Sequence, residues 1–261
     1  MKKGIDVSKW QGKIDWQKVN VDFAILRAGA GKAADSEFRR NAELCRKPIG
    51  VYWFSYAASA AEARAEARKC LETIRDFSVV LPVFFDWEYD SFESAQKRGI
   101  TVTKALYNAM CVAFCEEISD AGYRAGVYYN LDYFRRFVDP KLVGKYYQWY
   151  AHYGGSKGPV DCDIWQYSSS GQVDGIAGDV DLDYLYDESI LEEADEMTKD
   201  EVRAIIEEFL SGGSKPASKS LAAEWEDAKK AGITDGTNPQ GYAKREEAAA
   251  MVVRAMSKWE K

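Results

Sequence analysis

The sequence predicts an irregular β/α barrel of about eight strands, with some helices missing, followed by a small helical C-terminal module. Three observations lead there. Eight short apolar stretches recur through the first 190 or so of the 261 residues, separated by polar connections. Such alternation is the pattern of parallel strands joined by crossovers, and eight of them close a barrel. Only three connections read as full helices, and the total is short for a regular eightfold barrel.

The predicted strands are residues 2–7, 22–28, 48–54, 79–87, 124–129, 146–151 and 162–167, with a weaker one near 179–182. The predicted helices are Asp35–Arg46, Ser59–Phe77 and Thr101–Ala121. The second opens on a Ser-x-x-Glu capping box, Ser59 to Glu62, and the third stops at Gly122. Beyond residue 190 the pattern changes. Met197–Leu210 reads as an amphipathic helix, Ser211–Ser218 as a Gly/Ser linker, and Leu221–Ala231 and Lys244–Ser257 as two more helices around the turn-rich Gly232–Pro239. The expected domains are therefore a barrel over 1–195, a helix and linker over 196–218, and a module over 219–261. With few apolar anchors, the last 65 residues make a marginal core alone. They are expected to lean on the barrel, a second copy or a partner.

Composition narrows the function. The chain is 46% hydrophobic and 30% charged, which is ample for a core. Its net charge of -7 falls within residues 1–196, and an acidic main domain argues against nucleic acid as partner. No run reaches the length of a membrane span or a signal peptide, so the expectation is an enzyme made in the cytoplasm without a leader. The five cysteines form no CxxC pattern and are expected to be reduced and buried. His152 is the only histidine and lacks the company of a zinc site, so a packing or loop role is expected. No metal or organic cofactor is implied.

The most apolar run, Val79 to Glu88, ends in Asp86-Trp87-Glu88. On a strand the two carboxyls would share a face about 6–7 Å apart, with Trp87 opposite. Burying two carboxylates on one face is costly, which marks them as candidates for use. Asp6 and Asp181 also stand at predicted strand ends, and in β/α barrels the C-terminal ends carry the active site. Four acids on one rim suit glycoside hydrolysis, where one carboxyl must stay protonated to donate to the leaving oxygen.

Gly4-Ile-Asp-Val-Ser-Lys-Trp-Gln-Gly-Lys-Ile-Asp-Trp16 resembles the opening motif of the family 25 glycoside hydrolases, the Chalaropsis-type lysozymes. The resemblance continues through Phe23–Gly29, Pro48–Phe54, Asp86-Trp-Glu88, Ile164–Ser168 and Gly178–Tyr184, in the family's order. It implies an irregular barrel and an N-acetylmuramidase acting on peptidoglycan, as phage endolysins do. It also implies Glu88 as general acid, Asp86 as the carboxylate assisting at the anomeric side, and Asp6 and Asp181 as the remaining acids. Tyr52, Tyr128, Trp149 and Gln166 fall in blocks that line the family's groove, although Tyr52 and Tyr128 equally fit a barrel core.

Two other readings stand beside this one. Asp86-Trp-Glu-Tyr89 is identical to the end of the family 18 chitinase signature, but the Asp-Gly-x-Asp segment that should precede it is replaced by Leu81–Phe85. A non-catalytic wall-binding protein would have little reason to keep clustered, destabilising charge. Trp225 to Arg254 resembles an S-layer-homology-type repeat, which implies targeting to a Gram-positive envelope. A homodimer through that module is the competing expectation.

Overall fold

The computed structural model describes residues 1–154, 156, 158, 160–192 and 222–234. The chain divides into two compact units, Met1–Ala194 and Asp195–Lys261. The predicted segments 197–210, 211–218 and 244–257 lie outside the described residues, as does most of the S-layer-type stretch. In the second unit the described part is one helix, Ala222–Lys230, where Leu221–Ala231 was expected.

The first unit is built on β1 (Lys2–Val7), β2 (Phe23–Ala30), β3 (Ala33–Ala34), β4 (Ile49–Phe54), β5 (Val83–Asp86), β6 (Ala125–Asn130), β7 (Tyr147–Ala151), β8 (Ile164–Gly171) and β9 (Val180–Leu185). Their order is β1-β9-β8-β7-β6-β5-β4-β2-β3, and β1 also pairs with β2. The result is a closed barrel of eight strands, with the two-residue β3 folded back on the end of β2. Seven of the eight run parallel; β9 is antiparallel to both neighbours, β8 and β1.

Alternation along each strand sorts side chains into two layers. Phe23, Ile25, Tyr52, Phe84, Tyr128, Trp149, Ile164 and Leu185 fill the barrel interior. Room for the rings comes from glycines facing them. A Cβ on Gly4 would lie 2.3 Å from the Phe23 ring, and one on Gly126 would lie 2.4 Å from the Phe84 ring. The outward residues, among them Val51, Trp53, Phe85, Val127 and Tyr129, pack under the helices.

Those helices are α1 (Phe38–Leu44), α2 (Ala60–Ile74), α3 (Tyr89–Lys97), α4 (Lys104–Asp120), α5 (Leu131–Arg136), α6 (Pro140–Val143) and α7 (Ser189–Glu192). The two long ones, α2 and α4, bury Ala63, Ala67, Cys70 and Ile74 and Tyr107, Met110, Phe114 and Ile118. Ser59 caps α2 by accepting from the Glu62 amide at 3.2 Å. The return half of the expected capping box is altered: Glu62 accepts from the Ala58 amide instead and pairs with Arg98. All five cysteines are free and buried.

Two expectations need correction. The run 79–87 is a strand only over Val83–Asp86. Pro82 has no N–H to offer a ladder, and the Val80 and Leu81 amides both converge on the Ile49 carbonyl. The helix α3 went unpredicted because its segment is polar and is preceded by Glu88, not by a Ser, Thr, Asp or Asn cap.

Candidate active site

The inward alternation that places Phe84 inside the barrel places Asp86 one step further along, at the rim. Phe54 of β4 and Tyr128 of β6 are its register neighbours. Asp6, next to last in β1, lies on the same rim, directly across the ladder from Asp181. Asp181 is the second residue of β9, so it does not stand at a strand's C-terminal end as expected. It reaches this rim because β9 runs the other way. Glu88 lies beyond the end of β5, at the N-cap of α3, where its amide donates to Ser91 Oγ at 3.1 Å.

Asp86 and Glu88 are closer than the strand rise suggested, with their carboxyls hydrogen-bonded to each other. The strand fixes only the backbone spacing; the longer Glu88 side chain, freed by the turn into α3, folds back onto Asp86. Asp86 is 3% exposed, and no N–H or hydroxyl among the described residues reaches its Oδ1. Burial first, then the neighbouring Glu88 charge, raise its pKa well above the usual carboxylate range. Arg27, also on the inner face, pulls in the opposite direction but is itself paired with buried Asp35 at 2.6 Å. Glu88 is only partly buried. Its pKa is pushed up to about 7, chiefly by burial, with the Asp86 hydrogen bond opposing the rise.

Trp87, between them, points outward, is 1% exposed, and donates to the Ala57 carbonyl at 2.9 Å. It packs on Phe92, Tyr107 and Tyr133, which locks the Asp-Trp-Glu backbone to the helical layer.

Across the rim, Asp6 is buried and accepts from Gln166 Nε2 at 2.7 Å. Gln166 Oε1 in turn accepts from the Tyr128 hydroxyl at 2.9 Å and the Tyr153 hydroxyl at 2.8 Å. Burial, then the charges of Asp181 and Asp183, raise the pKa of Asp6 well above normal. Asp181 is pushed up to about 6, mostly by burial.

Of the four carried-over groove residues, Tyr52, Tyr128 and Gln166 are 8%, 6% and 4% exposed, and Trp149 is 1% exposed. Trp149 belongs to the interior wall, edge-on to Tyr52 and Tyr128, with its Nε1 donating to Asp183 at 2.8 Å. Three contributors escaped the sequence reading. Asp183 shares Asp181's face by simple i,i+2 alternation, a signal that was available. Tyr153 and Arg27 carried no comparable signal, because only folding brings them to the rim. The exposed aromatics Trp10, Tyr56, Tyr89 and Tyr153 all follow C-terminal ends of strands, giving the rim apolar faces of the sort sugars stack on. His152 stacks on Tyr150, and its Nδ1 meets the Ser156 carbonyl at 3.2 Å, a packing role.

The model of the glycosyl hydrolases family 25 matches residues 5–176. An uncharacterised protein of Escherichia coli K12, YegX, is 31% identical over 197 residues, covering 69% of this chain and 67% of its own. The autolytic lysozyme of Clostridium acetobutylicum is 28% identical over 190 residues, covering 69% of this chain and 55% of its own. The modular autolysin LytC of Streptococcus pneumoniae, also solved with a synthetic peptidoglycan ligand, superposes with a TM-score of 0.63 at 28% identity. The match covers 71% of this chain and 46% of LytC, so the chain spans about half the length of that relative.

Proposed function

The chain belongs to the glycosyl hydrolases family 25, and from that premise we propose that it is an N-acetylmuramidase. It cleaves the β-1,4 bond between N-acetylmuramic acid and N-acetylglucosamine in peptidoglycan. The observation that carries this is Glu88, a partly buried carboxyl at the barrel mouth that still holds its proton near neutrality beside a second, deeper acid. The likeness to an autolytic lysozyme and to an autolysin solved with peptidoglycan supports the substrate.

In this reading Glu88 donates its proton to the glycosidic oxygen as the bond to the anomeric carbon breaks. Asp86 and Glu88 touch, whereas carboxyls that flank a scissile bond stand about 5–9.5 Å apart. They therefore work from one side as a unit, and Asp86 manages the charge beside the donor. The substrate's own 2-acetamido oxygen attacks the anomeric carbon. Glu88, now a carboxylate, then takes a proton from the water that opens the cyclic intermediate. The product keeps its configuration. NMR of the first-formed anomer checks this, and inversion would overturn the acetamido route.

The muramidase reading is tested by turbidity loss on purified walls, wild type against Glu88→Gln, with mass spectrometry of the fragments. Reducing-end muramic acid is expected. Equal behaviour of the two proteins would leave a wall-binding protein, and reducing-end glucosamine would reassign the bond to the chitinase-like alternative.

We extend the proposal to a Gram-positive wall, reached at host lysis, with 219–261 as a wall-binding module. The support is that module's S-layer-type sequence pattern. Deleting 197–261 should abolish wall pull-down and leave oligomer mass unchanged; the reverse result would assign the module to dimerisation.

A further inference from the structure

The loop that joins β4 to α2, Ser55–Ala58, leaves the rim beside Asp86, and side chains from several elements hold its backbone. The Ser55 amide donates to the Asp86 carbonyl at 2.7 Å, and Trp87 Nε1 donates to the Ala57 carbonyl at 2.9 Å. The Ala57 amide donates to Ser55 Oγ at 3.1 Å, and the Ala58 amide to Glu62 Oε2 at 2.9 Å. Tyr56 is held on both sides of its backbone. Its amide donates to Glu66 Oε1 of α2 at 3.2 Å. Its carbonyl accepts from Nη1 of Arg98, the C-cap of α3, at 3.3 Å. Glu62 pairs with the same guanidinium.

The proton transfer makes no use of Glu66, yet its side chain is buried on a helix face shared with Ala63, Ala67, Cys70 and Ile74. A carboxyl in such company is costly unless it serves a polar group, and the group it serves is the Tyr56 amide. The Tyr56 ring is exposed, with Phe54 at 5.3 Å, and it lies against the turn at Gly31, where a Cβ would come within 3.1 Å of it. We propose that Glu66 and Arg98 are positioning residues that fix Tyr56, by its amide and its carbonyl, as a stacking platform for the sugar chain beside the acid pair. A ring that must be ordered on binding weakens affinity, and one already held does not. The role rests on the muramidase reading. Its signature is a defect in KM and not in kcat, because Asp86 stays in the β5 ladder and Trp87 stays packed on Phe92, Tyr107 and Tyr133 when the loop loosens.

Glu66→Gln keeps an acceptor for the Tyr56 amide, Glu66→Leu removes it, and Arg98→Met removes the donor to the carbonyl. The test measures kcat and KM of these variants on soluble glycan fragments, alone and combined with Tyr56→Ala. Hydrogen exchange of the full chain, read by mass spectrometry, accompanies it. Assays run at pH 6, below the value of about 7 to which burial pushes Glu66, so that glutamine copies the form present. Glu66→Gln should match wild type, whereas Glu66→Leu and Arg98→Met should raise KM about fivefold or more with kcat within about twofold. Combined with Tyr56→Ala, neither should raise KM further. Exchange over residues 55–58 should quicken in Glu66→Leu and not in Glu66→Gln. The proposal is overturned if Glu66→Gln is as impaired as Glu66→Leu, or if KM or the exchange rate is unmoved in Glu66→Leu. It is also overturned if the effect on KM persists without the Tyr56 ring. Should Glu66→Leu fail to fold, Arg98→Met, which alters an exposed side chain, still decides. An inactive wild type would count against the muramidase reading alone, because the exchange result does not depend on activity.

Discussion

At the residue scale, Glu88 and Asp86 have the same chemistry and different surroundings. Asp86 is almost wholly buried, and Glu88 reaches the mouth with its proton held to about pH 7. Glu88→Gln keeps the shape but cannot donate, so turnover should fall about 10²–10⁴-fold, measured on purified glycan fragments. Because the protonated form is the active one, kcat should decline as pH rises through about 7. A rate flat from pH 5 to 9 would remove Glu88 from the role of acid. The Asp-Trp-Glu motif was legible because its residue types and spacing are local. The Asp86–Glu88 contact was not, since a strand's rise sets Cβ positions and leaves the longer side chain's torsions open.

At the element scale, the long helices and the strand interiors carry separate tasks. Thr103 caps α4 by accepting from the Leu106 amide at 3.1 Å, so Thr103→Ala should cost about 1 kcal/mol in chemical denaturation. Gly126→Ala would place a methyl 2.4 Å from the Phe84 ring and 2.9 Å from the Tyr147 carbonyl. Overpacking of that kind should destabilise by about 1–3 kcal/mol, and an unchanged transition midpoint would show that the ring can retreat. Element positions came through well where apolar runs are bounded by polar connections, as in β1 and β4. They slipped where a single residue overrides the run, as Pro82 does before β5, and where a helix such as α3 has too little apolar character to announce itself.

At the scale of the whole molecule, the barrel concentrates acids whose pKa values are raised: Asp6, Asp86, Glu88, Asp181 and Asp183 inside, and Glu66 on α2. An acid whose folded pKa lies above its unfolded value of about 4 stabilises the fold below that value and loses this contribution as pH rises through the folded pKa. Thermal stability should therefore fall from about pH 4, the unfolded value, up to the folded values of about 6 for Asp181 and about 8 for Asp183. Calorimetry across that range checks it, and a Tm that climbs with pH would contradict the buried-acid picture. The sequence by itself determined the barrel and the family, because strand alternation and a contiguous motif are local properties of the chain. Closure of the sheet decided the rest. Reversal of β9 brought Asp181 to face Asp6, and the same closure bonded Trp149 to Asp183 and Gln166 to Asp6, Tyr128 and Tyr153. Contacts between residues as distant in the chain as Asp6 and Asp181 depend on which strands become neighbours, and only the folded barrel settles that.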